Sequence, residues 1–185
     1  MRTQLGLTLI ELLVAMALFA ITVTVAVPNF MDFIRNNKVV SHTNELVGTL
    51  NMARSEAIKR RATVSLCGST NGTACNSADW ERGWIVFVDA NANATVDSGE
   101  EILIVSRGLS AGITLRSISF AANTSVKYTS RGAIDSDGSF KVCDSRGALY
   151  AKAITVNLSG RVRLATDTNA NTIVNDVDGS DVTCP

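Results

Sequence analysis

Between Leu7 and Val27 only Thr8, Glu11, Thr22 and Thr24 interrupt an otherwise apolar run. A helix needs about 20 such residues to cross the hydrocarbon core of a bilayer. Beyond Pro28 the run becomes a stripe. Phe30, Phe33, Ile34, Val40, Leu46, Val47, Leu50, Ala53, Ala57 and Ile58 recur at helical spacings, while Arg35, Lys38, Asn44, Arg54 and Lys59 fall mostly off it. Pro28 is expected to kink this helix rather than end it. The pattern predicts one long helix from Leu7 to about Arg61, with residues 7–28 as the membrane-crossing part and 29–62 as the amphipathic part.

After Arg61 the period changes to two. Thr63–Cys67, Trp84–Val88, Ile102–Val105, Ile113–Phe120, Val126–Thr129, Ser139–Cys143, Ala151–Leu158 and Val162–Leu164 read as strands, separated by clusters of Gly, Asn, Asp and Ser. A long helix followed by short strands indicates an α+β fold, the helix forming a spine and residues 63–185 an antiparallel β-sheet domain packed on it.

Glu11 is the feature of the apolar run that needs explaining. An ionisable group inside a bilayer is costly and calls for a role. A charge near the interface that merely snorkels is the plain alternative. The residues before the run bear on the choice. Met1–Gly6 is short and basic, ends in Gly6, and is followed by the hydrophobic Leu7 and by Glu11 five places after Gly6. An ordinary secretory signal puts its small-residue cleavage site after the apolar core, where Ala26-Val27-Pro28 is a poor version of one. The stretch resembles the class III leader of type IV prepilins, although Phe more usually stands at the position of Leu7. The resemblance implies that residues 1–6 are removed by a prepilin peptidase between Gly6 and Leu7. It further implies that the new amine is methylated and the apolar helix retained. Glu11 then pairs with the free amine of a neighbouring subunit in the low-dielectric core of a filament and sets its register.

Two further stretches narrow the family. Ala53-Arg54-Ser55-Glu56-Ala57-Ile58-Lys59-Arg60 leads into the first strand, and Asp79-Trp80-Glu81-Arg82-Gly83-Trp84 leads into the second. With Ser159-Gly160-Arg161-Val162-Arg163 near the end, they resemble the GspH/FimT family of minor pilins and pseudopilins. That resemblance implies a pilin fold and a minor type IV pilin acting in pilus assembly or initiation at or near the tip. The alternative within the same family is a pseudopilin of a type II secretion system. The implied partners are other minor and major pilins, the prepilin peptidase and the inner-membrane assembly machinery. The implied location is the bacterial inner membrane, N-terminus cytoplasmic and β domain periplasmic, and then the filament at the cell surface.

Net charge is zero, but the charges are segregated. Asp79, Glu81, Asp89, Asp97, Glu100 and Glu101 face only Arg82 in residues 79–101, whereas Lys127, Arg131, Lys141, Arg146, Lys152, Arg161 and Arg163 dominate residues 121–165. Arg161 and Arg163, two apart in a strand, are expected on one face, with Arg131, Arg146 and Lys152 in the same basic part of the chain. Such a group neutralises phosphates in a salt-dependent, sequence-independent way. Some members of the family bind DNA through a Gly-Arg-x-Arg segment, so the resemblance also implies DNA uptake in natural transformation. The competing reading is a charged edge strand that discourages aggregation.

Four cysteines allow three pairings. Cys67–Cys75, closing a short polar loop, and Cys143–Cys184, tying down the tail, are the expected disulfides of an exported domain. No Cys-x-x-Cys and a single histidine, His42, argue against zinc. Asp89, Asn91, Asn93, Asp97 and Glu100 reproduce the ligand spacing of a calcium loop, but Ala94 occupies the place of the turn glycine. An Asn/Asp-rich hairpin bonding its own backbone is the expected reading there. No nucleophile–base pair and no phosphate loop are visible, so neither an enzyme nor a cofactor is expected. Trp80 and Trp84 read as core residues rather than a stacking platform.

Overall fold

A computed structural model describes residues 8–122 and 124–185. The chain divides into two compact units, the first ending at Asn37 and the second covering Lys38–Pro185. The first helix, α1 (Leu9–Arg60), runs through Pro28. Thr8 caps it: the Glu11 amide donates to the Thr8 hydroxyl at 3.3 Å, the N-cap to N3 bond of a capping box. At the other end Arg61 takes a left-handed conformation with φ 54°, and the Ala62 amide returns to the Ala57 carbonyl at 3.2 Å. This is the usual way to satisfy the last carbonyls of a helix, with arginine in the place glycine normally takes.

In the first unit the described side chains are all exposed. In the second unit α1 buries Val39, Thr43, Leu46, Thr49, Leu50, Ala53 and Ala57. This stripe is rotated from the one expected by residue type, since Val40 and Ile58 are exposed and two threonines lie inside. The threonines can be buried because their hydroxyls donate within the helix, Thr43 to the Val39 carbonyl and Thr49 to the Glu45 carbonyl.

Eight strands follow: β1 (Val64–Gly68), β2 (Gly83–Val88), β3 (Ile102–Arg107), β4 (Ile113–Ile118), β5 (Ser125–Tyr128), β6 (Gly138–Asp144), β7 (Lys152–Val156) and β8 (Val162–Leu164). They form two antiparallel four-stranded sheets, ordered β3-β2-β1-β5 and β4-β6-β7-β8, where alternation alone suggested one. Leu66 and Val86 from the first sheet and Phe140, Val142, Ile154 and Val156 from the second share one core with Leu46, Leu50 and Ala53 of α1. Trp80 closes it, meeting Phe140 edge-on at 4.8 Å.

Both sheets are also covered on their outer faces. Cys67, Ile85 and Phe87 pack beneath Cys75 and Val96, so β1 and β2 are buried on both sides. On the second sheet, Cys143 and Ala153 pack against Val182, Val174 and Cys184 of the C-terminal tail. The bonds Cys67–Cys75 and Cys143–Cys184 hold these two covers in place.

Candidate functional sites

The N-terminal site is Glu11. Gly6 and Leu7, the expected cleavage and methylation positions, lie outside the described residues. Glu11 sits in the first turn of α1, where a carboxylate complements the positive end of the helix dipole. Around it Ile10, Val14, Ala15 and Leu18 form a shallow, almost wholly apolar depression. A helix face of this kind, exposed and apolar around one acid, suits contact with a second apolar helix that brings a cation.

The basic residues do not form one face. Arg146 turns inward: its guanidinium bonds the Asp144 carboxylate at 2.6 Å and lies 4.2 Å over the Tyr150 ring. It is therefore not part of an exposed basic surface. Lys152 pairs with Val142 and shares the inner face of β7 with Ile154 and Val156, whereas Arg163 pairs with Thr155 on the outer face. There Arg163 lines a depression formed with Thr166, Asn175 and Asp176 of the tail, so an acid stands beside it. Arg161 lies just before β8 in the turn 157–161, and its amide donates to the Asn157 side chain at 3.0 Å.

Arg131 and Arg161 stand on two turns that touch. Each is exposed and each adjoins a buried glycine, Gly132 or Gly160, with φ of 76° and 73°. A Cβ on Gly160 would overlap the Gly132 carbonyl oxygen, so the two turns touch backbone to backbone. The Ile134 amide donates to the Leu158 carbonyl at 3.1 Å beside this contact. Neither turn, 129–133 or 157–161, contains an acid.

The loop with calcium-like spacing is closed by its own donors. Asp89 is fully buried and accepts from the amides of Asn93 and Ala94 and from the Ser65 hydroxyl, the last at 2.6 Å. Glu100 accepts from the amides of Ala90 and Asp97, and Asp97 accepts from the side-chain amides of Asn91 and Asn93. The tail repeats the device at Asp167. Burial pushes its carboxyl up, but the amides of Thr172, Asn169, Ala170 and Asn171 outweigh burial and hold it below the ordinary carboxylate range.

Residues 42–160 match the family described as type II transport protein GspH, and residues 1–27 match the prokaryotic N-terminal methylation motif. The chain belongs to the GspH family. It is 34% identical over 101 residues to the pilin-like protein PilA1 of Thermus thermophilus, a match covering 54% of this chain and 57% of that relative. This chain thus spans little more than half the length of that relative. The fold is that of the type IV minor pilin FimU of Pseudomonas aeruginosa (TM-score 0.57, 22% identity, 72% of this chain and 92% of that one). It is also similar to the minor pseudopilin EpsH of the Vibrio cholerae type II secretion system (TM-score 0.50, 10% identity, 71% and 99%). The family is one of structural pilins and pseudopilins rather than enzymes.

Two features of this GspH-family chain escaped the sequence. Thr8 and Glu11 form a capping pair, a signal the sequence carries as Thr-x-x-Glu. Arg54, off the predicted apolar stripe, is half-buried and donates to two carbonyls, Gly132 through Nε at 2.9 Å and Ser159 through Nη2 at 3.0 Å. Nothing local in the sequence marks those partners, which lie 78 and 105 residues away.

Proposed function

We propose that this chain is a minor type IV pilin, cut between Gly6 and Leu7, methylated on Leu7, and assembled with other pilins at or near the tip of a pilus. The observation that carries this reading is the first part of α1, exposed throughout and apolar from Leu9 to Val27 except for Glu11 and two threonines. An apolar helix of this length is held by lipid before assembly and by neighbouring helices afterwards. Glu11, capped at the helix start, supplies the one charge that fixes register against a neighbour's amine. The two threonines, Thr22 and Thr24, donate to the carbonyls of Phe19 and Ile21 and so add little polarity to that surface. The test is a deletion strain complemented with the parent gene or Glu11→Ala. Piliation should be lost on deletion, restored by the parent and not by Glu11→Ala. Lost protein secretion with pili intact would instead assign the chain to a type II secretion pseudopilus.

A second activity is favoured by the paired turns. Arg131 and Arg161, both exposed on two touching turns with no acid in either, suit the phosphates of a DNA duplex in natural transformation. Gel-shift of the full-length protein in detergent micelles should show duplex retarded at low salt, less so by Arg131→Ala/Arg161→Ala. Equal retardation by both proteins refutes this reading.

A further inference from the structure

Arg54 is a helical arginine whose polar contacts are made to backbone, and the two carbonyls it holds belong to the two turns that carry Arg131 and Arg161. Its neighbour one helical turn on, Ile58, rests against Gly132, so the same face of α1 meets this turn twice. The ring of Tyr128 lies beneath Gly160, closing the contact from the sheet side. Each turn is closed internally, Gly132 to Thr129 at 2.7 Å and Gly160 to Asn157 at 2.7 Å. Among the described residues, the forked guanidinium is a hydrogen-bonded tie between the two turns in addition to the Gly132–Gly160 contact and the Ile134–Leu158 bond. The planar fork donates to the two carbonyls from two nitrogens held at a fixed spacing, whereas an ammonium offers its three donors from a single point on a flexible stem.

We infer that Arg54 is a positioning residue that locks the turns 129–133 and 157–161 into one platform and thereby holds Arg131 and Arg161 at a fixed spacing for the phosphates of a DNA duplex. The ligand in this statement rests on the DNA-binding reading above; the lock does not. Two of its five N–H groups, on Nε and Nη2, are aimed at Gly132 and Ser159, so its role here is to hold the turns rather than to touch a phosphate. Gly160 in the Gly-Arg-x-Arg segment is needed for the same platform, since a side chain there would drive the turns apart.

The test uses the full-length protein in micelles, with Arg54→Lys and Arg54→Met as variants. Hydrogen exchange at the Gly132 and Gly160 amides should accelerate by about tenfold in both, the effect of losing one charge-assisted bond. Duplex affinity should fall several-fold while its dependence on salt keeps the parent slope. In Arg131→Ala/Arg161→Ala that slope should instead drop by about two, one for each phosphate lost. If Arg54 were a direct phosphate contact, Arg54→Lys would retain affinity and Arg54→Met would lower the slope; either result overturns the inference. So does parent-like exchange at both glycines. Should the variants not fold, the parent itself decides. Locked turns predict one common opening energy for the Gly132 and Gly160 amides as urea is raised, and separate openings overturn the lock. A parent that fails to retard DNA refutes the DNA reading alone and leaves exchange to judge the lock.

Discussion

The two disulfides offer the sharpest quantitative prediction, because they do the same job over very different spans. Cys143–Cys184 joins residues 41 apart and Cys67–Cys75 residues 8 apart. Loop-closure entropy then predicts a loss of about 4 kcal/mol on opening the first and about 2.5 kcal/mol on opening the second. Packing widens the gap. The longer bond anchors a tail that otherwise meets the second sheet through Val182 and Val174 against Ala151 and Ala153, and through a few hydrogen bonds: Lys141 to the Thr183 carbonyl at 2.7 Å, the Val177 amide to the Ser139 hydroxyl at 2.8 Å and, beside the sheet, the Ser119 hydroxyl to Asp178 at 2.8 Å. The shorter bond covers Ile85 and Phe87, which β1, β2 and the Val96 loop also hold. The variants should be double alanines, since Cys67 and Cys143 are buried and serine would strand a hydroxyl there. Trp80 and Trp84 are both fully buried in the shared core, so their fluorescence during urea unfolding reports its loss. The midpoint should fall furthest for Cys143→Ala/Cys184→Ala. An equal or larger fall for Cys67→Ala/Cys75→Ala refutes the reasoning.

Three further outcomes are expected. Gly160→Ala should lose about 2–3 kcal/mol in the same urea titration, from a left-handed residue and a backbone collision that cannot be relieved by a rotamer; an unchanged midpoint contradicts the interlocked turns. Burial pushes the Tyr128 phenol well up, against a smaller opposing pull from Arg54, and its hydroxyl finds no partner among the described residues. The neutral form is thus favoured on folding, so this contribution is complete below the unfolded value near about pH 10 and is lost as pH rises above it. Tyr128→Phe should therefore unfold less readily in alkali than the parent, and identical alkaline transitions would show the assignment to be wrong. Titration calorimetry with millimolar calcium should give no heat, because Asp89 and Glu100 already accept from backbone amides; saturable binding removed by Asp97→Ala would show that the loop exchanges those bonds for a cation.

Most elements were legible because their signals are local. The alternation at Ile113–Phe120 predicts a strand, and β4 ends at Ile118, where Ser119 turns left-handed at φ 63°. The expected strand Ala151–Leu158 is shorter, since Asn157 begins the turn that presents Arg161. What alternation cannot carry is partner choice, so the division into two sheets was invisible: β1 bonds β5 across residues from distant parts of the chain. The buried face of α1 differs from the expected stripe for a related reason: Thr43 and Thr49 are polar by type, yet their hydroxyls donate to helical carbonyls and can be buried. At the basic surface, composition grouped Arg146 with Arg161, yet the Asp144 carboxylate two residues away takes its guanidinium inward. Arg54 falls off the apolar stripe, and nothing near it in the sequence points to Gly132 and Ser159.

The central claim is that the apolar start of α1 stays on the working protein and joins one subunit to the next. Intact-mass analysis of the protein recovered from filaments sheared off cells tests it directly. A chain beginning at Leu7 and carrying one methyl group is the expected result. A first residue beyond Val27 would make that helix a discarded export signal and contradict the account.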